Sequence, residues 1–229
     1  MLKNLNQLIK SLREEKGMSQ QDLADRLGMA RTSYILVEQG KRELSLSEAQ
    51  KISNIFGLSL KSMETGVMPN YEKYKEMILS FLRFLNSSSD GKVPKTKLAK
   101  LVYLADFAWF YQNLESMSGM QYRRIHYGPV PDLYFRALDE LEEEGKISRD
   151  NKGSDVILIS ENQGSKREEL NKIKKEERDL IKKIAKKWKD KKTREIVNFT
   201  HAQFPFKLCA PDEIIPYELI IQEDAQYVY

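Results

Sequence analysis

Apolar residues recur every three or four positions through most of the chain, and the breaks fall at glycines, prolines and serine clusters. That pattern predicts a mainly α protein with minor β. Leu5, Leu8, Ile9 and Leu12 mark a first helix that ends near Gly17. Ser19, with Asp22 three residues on, forms an acidic variant of the capping box. The helix it opens turns Leu23, Ala24 and Leu27 inward and stops at Gly28. A third helix runs over about 30–39 with Tyr34 and Val37 inward, and stops at Gly40. A fourth begins after Ser45 or Ser47 and buries Ala49, Ile52, Ile55 and Phe56; Leu58, Leu60 and Met63 predict a short fifth turn.

Residues 65–70 are short, uncharged and contain Gly66 and Pro69, which predicts a linker between a domain at 1–66 and a second at 71–229. The second opens with a helix marked by Tyr74, Met77, Ile78, Phe81, Leu82 and Leu85, closed by the serine cluster at 87–89. After Pro94 comes a helix apolar on so many sides that it must be nearly buried, from Leu98 to Tyr111. A short strand follows at 121–125, then a stiff proline-framed turn at 126–131 and a helix at 133–141. Two strands, near 146–148 and 156–159, make a short β-hairpin. Helical spacing runs from Leu170 to Trp188 inside a stretch, 165–192, holding 13 basic and 6 acidic residues; its expected form is a solvated helix with one docked face. A last helix at 194–202 precedes an extended tail, 214–229.

Composition narrows the function. The 229 residues suit two domains, and 41% hydrophobic with 31% charged residues allow packed cores. The single Cys209 excludes an intramolecular disulfide, and with two histidines a structural zinc site has too few ligands. The start lacks the apolar core of a signal peptide, and no run is long enough to span a bilayer, so the expectation is a cytoplasmic protein without membrane contact. A net charge of +4 permits nucleic-acid binding without demanding it. Asp106, in an otherwise apolar helix, needs donors and reads as structural. His126 and His201 lack a Ser, Cys or carboxylate at motif spacing, and no glycine loop cradles phosphate. The expectation is no enzyme, no cofactor and no metal.

The stretch SQQDLADRLGMARTSYILVEQGKR, residues 19–42, has helix–turn–helix spacing and closely resembles the DNA-binding domain of Xre/Cro-type repressors, over about residues 5–64. The resemblance implies a five-helix domain whose third helix enters the major groove. Ala30, Arg31, Thr32, Ser33 and Ile35 would then stand near base edges, Arg31 suited to guanine. Ser19 and Gln20 at a helix start, and Lys41 and Arg42 after the reading helix, would meet phosphates. Ile35 departs from the family, which often places a polar base reader there. One such module has a small interface, so a palindromic site in double-stranded DNA and a homodimer are expected.

Three further pieces stand in order: KLAKLVYLADF at 97–107, YGPVP at 127–131 and THAQ at 200–203. Together they resemble the SocA-like antitoxin domain, also called the Panacea domain, over roughly 72–225. This resemblance implies an α-rich fold that neutralises a cognate toxin encoded by an adjacent gene, in a chain that represses its own operon. Tyr127, Pro129, Pro131 and Tyr134 are the candidate toxin-binding surface, as aromatics on a rigid turn. The alternatives are a plain regulator whose second domain senses a ligand or protein, and a proteolytic adaptor.

Overall fold

A computed structural model describes residues 3–56, 69–85, 91–131, 133–152 and 156–229. The turn expected at 58–63, most of the linker and the serine cluster lie outside the described residues. The chain divides into two compact units, Met1–Pro69 and Asn70–Tyr229.

In the first unit, α1 (Lys3–Glu15), α2 (Gln20–Leu27), α3 (Arg31–Glu38) and α4 (Leu46–Phe56) pack around Ile9, Leu23, Leu27, Tyr34, Ile52 and Phe56. Ser19 caps α2: its hydroxyl accepts from the Asp22 N–H at 3.1 Å, and Asp22 accepts from the Ser19 N–H at 2.9 Å. Gly28 ends α2 at φ +73, a left-handed conformation that glycine takes without steric cost. There the Met29 N–H donates to the Ala24 carbonyl at 3.0 Å, closing the helix end. Glu48 caps α4 from the Ser45 N–H at 2.9 Å.

The second unit is built around one helix. Its elements are α5 (Tyr71–Leu85), β1 (Val93–Pro94), α6 (Lys95–Asn113), β2 (Tyr122–Ile125), β3 (Gly128–Pro131), α7 (Tyr134–Glu143), β4 (Ile147–Lys152), β5 (Val156–Glu161), α8 (Lys175–Trp188), α9 (Thr193–Ala202) and α10 (Phe204–Leu208). Every residue of α6 from Lys97 to Ala108 is buried, with α5, α8, α9, β3 and the 3-10 turn Tyr217–Gln222 packed around it. Each fully buried Leu or Phe there contributes about 1.5–3 kcal/mol by leaving water. One antiparallel sheet has the order β1-β5-β4, with Val93 opposite Ile159 and Ile147 opposite Glu161; β2 and β3 form a separate hairpin, with Ile125 opposite Gly128.

Three features differ from the sequence pattern. Residues 128–131 are a strand rather than part of a stiff turn; only His126 and Tyr127 turn. Its prolines are tolerated because β3 pairs on one side only, with β2. The basic helix begins at Lys175, not upstream: Leu170 and Ile173 are buried in an irregular segment whose Asn171 and Lys172 N–H groups donate to Glu76, at 3.2 and 2.8 Å. The tail is not extended but winds through two 3-10 turns, Tyr217–Gln222 and Ala225–Tyr227.

Candidate functional site

In the first unit, α2 and α3 are joined by Gly28, Met29 and Ala30, and a buried polar network fixes α3. The Glu38 carboxylate accepts from Arg13 Nε at 2.7 Å, Tyr34 Oη at 2.7 Å and Gln20 Nε2 at 2.8 Å. Burial pushes the Glu38 carboxyl up, but hydrogen bonds from Arg13, Tyr34 and Gln20 outweigh it and hold the group below the usual range. This network anchors the C-terminal end of α3 and leaves its N-terminal turn outward. Ala30, Arg31 and Thr32 are exposed, Ser33 and Ile35 half-buried. Lys41 is exposed, whereas Arg42 is half-buried and held by Glu48 at 2.9 Å. Ser19 is exposed with its hydroxyl engaged in the cap, and the Gln20 amide is committed to Glu38. The Ser19 N–H is also taken by Asp22, so near phosphate this helix start offers mainly the first-turn N–H groups that begin at Gln20.

In the second unit, side chains from three distant segments are brought together around α6. Lys97 Nζ donates to the Lys189 and Lys191 carbonyls at 3.0 and 2.6 Å, closing the end of α8. Asp106, fully buried, accepts from the Ser118 N–H at 2.7 Å, from the Ser118 hydroxyl and from Tyr122 Oη at 2.8 Å. Burial raises its carboxyl to about 6 despite those donors. Gln203 Nε2 donates to the Tyr227 and Val228 carbonyls at 2.7 and 3.0 Å, pinning the tail.

Lys100 behaves differently. It is 0% exposed, its Nζ donates to the Pro129 carbonyl at 3.0 Å, and no carboxylate among the described residues compensates it. Burial lowers its ammonium to about 7. His201 lies beside it, stacked on Phe206 at 4.3 Å, with Nε2 buried and unpaired. Burial first, and then the Lys100 charge, lower the imidazole from its ordinary range. Gly128, at φ +98, closes against both: a Cβ there would stand 2.7 Å from His201 Nε2 and 2.8 Å from Lys100 Nζ.

A model of the helix-turn-helix family matches residues 9–62, and one described as antitoxin SocA-like, Panacea domain, matches residues 98–205. The SPbeta prophage-derived HTH-type transcriptional regulator YonR of Bacillus subtilis is 33% identical over 95 residues, 42% of this chain and 86% of that protein. The chain belongs to the HTH-type transcriptional regulators. Two other regulators of this type are similar over shorter stretches. YqaE of Bacillus subtilis is 38% identical over 58 residues, 25% of this chain and half of that protein. MJ0272 of Methanocaldococcus jannaschii is 36% identical over 55 residues, 24% of this chain and 83% of that protein. No solved structure matches significantly.

The regulator's Panacea domain contains the Lys100, Gly128 and His201 cluster, one residue from each of the three motifs. Of the four residues expected to meet a toxin, only Tyr127 projects, at 71% exposed. Pro129 and Pro131 are buried within β3. Tyr134 is 1% exposed and its hydroxyl donates to the Lys95 carbonyl at 2.7 Å, so it is not a surface anchor. Its place on the buried α7 stripe with Ala137, Leu138 and Leu141 carries that signal in the sequence. The exposed aromatic of α7 is its neighbour Phe135, at 49%. A cleft of about 580 Å³ opens here, with Lys95, Thr96, Lys100, Tyr127, Val130 and Phe135 among its walls. Among the described residues no three or more His, Cys, Asp or Glu cluster as a metal site would require, and no helix is long and apolar enough to cross a membrane.

Proposed function

We propose that this regulator is a cytoplasmic antitoxin, acting by binding rather than catalysis: its second unit neutralises a toxin encoded by an adjacent gene, and its first represses the shared operon. The observation that carries this reading is the presence in one chain of an outward-facing α3 N-terminus and a SocA-like Panacea domain. On DNA, two copies place α3 in successive major grooves of a palindromic site. Arg31 reads a base edge, with Ala30, Thr32, Ser33 and Ile35 alongside. Lys41 and the start of α2, Ser19 and Gln20, hold phosphates; Arg42, drawn onto Glu48, must exchange that partner to join them.

The test uses the DNA upstream of the regulator's own gene. Arg31→Ala should weaken binding by about 1–3 kcal/mol and relax sequence preference; Lys41→Ala should weaken all sequences alike and reduce the salt slope by about one. A folded double variant that shifts the fragment as well as wild type does would overturn the assignment of α3. Expression of the neighbouring open reading frame alone should arrest growth, and co-expression of the full chain should restore it. A harmless neighbour would remove the antitoxin reading.

A further inference from the structure

We propose that the cleft between the start of α6, the β2–β3 hairpin and the start of α7 receives an acidic side chain of the partner protein, with Tyr127 and Phe135 clasping an apolar neighbour of that residue. The inference rests on the antitoxin reading for the identity of the partner, but not for the chemistry of the cleft.

Several independent features make the cleft attractive to an anion. Its described walls include Lys95, Thr96 and Lys100 and no Asp or Glu. It sits at the N-terminal end of α6, a 19-residue helix with no acidic residue in its first turn and no side-chain cap from Pro94. The first-turn N–H groups of such a helix lack intrahelical partners, and its dipole favours negative charge. Beneath the cleft lies the Lys100 ammonium, closed to water and with a carbonyl as its hydrogen-bonding partner. A buried cation without a counter-ion is unfavourable in the free protein, and an incoming carboxylate relieves it in surroundings of low dielectric. No wall residue supplies that carboxylate from within the unit.

The rim decides what kind of molecule brings it. Tyr127, on the β2–β3 turn, and Phe135, on α7, are both exposed large aromatics lining the cleft, and Lys95 Nζ, also of the lining, lies 5.2 Å from the Phe135 ring centroid. Aromatic anchors around a charged socket suit a protein segment with an apolar residue next to an acid, since they bury much area with few rotatable bonds.

The probes are two peptides, acetyl-Asp-Phe-amide and acetyl-Asn-Phe-amide, titrated into the isotope-labelled full chain and followed by NMR. The Asp peptide should shift the Thr96, Tyr127 and Phe135 resonances, with at least tenfold weaker response to the Asn peptide. Lys100→Met should abolish that preference while unfolding at the same or higher denaturant concentration, because it removes an uncompensated buried charge. Equal response to both peptides, or none from the folded chain, would overturn the proposal. In a parallel growth assay with the neighbouring toxin, full-chain Lys100→Met and Phe135→Ala should lose rescue. If wild type rescues and both folded variants rescue fully, the cleft is not the partner contact. If the neighbour proves harmless but the Asp peptide still binds through Lys100, the antitoxin reading fails and the anion-accepting cleft stands.

Discussion

Gly128→Ala should destabilise the second unit by about 2–5 kcal/mol, from two separable sources. The first is backbone strain: an L-residue at φ +98 costs roughly 1–2 kcal/mol, as for other left-handed conformations. The second is the close approach, in which the new methyl would lie 2.7 Å from His201 Nε2 and 2.8 Å from both Cε and Nζ of Lys100. Both neighbours are side-chain ends, so they can move, but Lys100 then gives up its bond to the Pro129 carbonyl. A buried donor left unpaired costs about 1–3 kcal/mol. Gly145→Ala is the control: it too has positive φ, +68, but nothing lies within 4 Å of its added methyl, so it should show the strain alone. The readout is denaturant unfolding followed by tryptophan fluorescence. Trp109 and Trp188, the two tryptophans of the chain, both lie in the second unit, so the signal is silent to the first. Equal midpoints for the two variants would refute the packing of Gly128 against Lys100 and His201.

Residues 70–229 alone should fold, with the fluorescence midpoint of the full chain. Starting one residue later should cost about 1 kcal/mol, because Asn70 Oδ1 accepts from the Lys73 N–H at 2.9 Å and caps α5. A fragment that stays unfolded would show that the two units share stability. Asp106 should make the second unit less stable as pH rises. Its carboxyl holds a proton to about pH 6 when folded against 3.8 ordinarily, so its contribution is full below about pH 4 and lost by about pH 6. The difference is at most about 3 kcal/mol at 1.36 kcal/mol per pH unit. The stability of wild type minus that of Asp106→Asn should therefore fall between about pH 4 and 6; a flat difference would sink the assignment.

The first unit was largely legible because its signals are local. Helical periodicity, the Ser19–Asp22 cap and Gly28 each act within one turn of helix, and the structure places all of them where the pattern puts them. The second unit was legible in its helices but not in the features that only tertiary contacts determine. The β1 strand is two residues long and exists because β5 pairs with it. Leu170 and Ile173 keep helical spacing, yet the Glu76 carboxylate takes the N–H groups of Asn171 and Lys172 and fixes an irregular segment instead. The tail reads as extended, but Gln203 binds the Tyr227 and Val228 carbonyls and folds it back. In the helix-turn-helix unit, Arg31 and Lys41, expected to contact DNA, are exposed, whereas the pairings of Gln20 with Glu38 and of Arg42 with Glu48 span 18 and 6 residues and left no local pattern.

Lys100 is the instructive miss. A lysine between Leu98, Ala99, Leu101 and Val102 breaks an apolar run, much as Asp106 does six residues on. Both are fully buried, so both need a partner. Asp106 finds three donors from Ser118 and Tyr122 and thereby ties the loop after α6 to the helix, which explains it as structure. Lys97, on the next turn of the same helix, likewise finds two carbonyls at the end of α8. Among the described residues Lys100 has one carbonyl for three donors and no opposing charge, and its neighbour His201 has an unpaired Nε2. A methionine would fill the same space without that penalty, so packing does not account for a lysine at this position. Among the described residues, two charges on this helix are satisfied and a third, which lines a cleft with no acid in its described walls, has only a carbonyl; an acid brought by a partner is the counter-charge we propose for it.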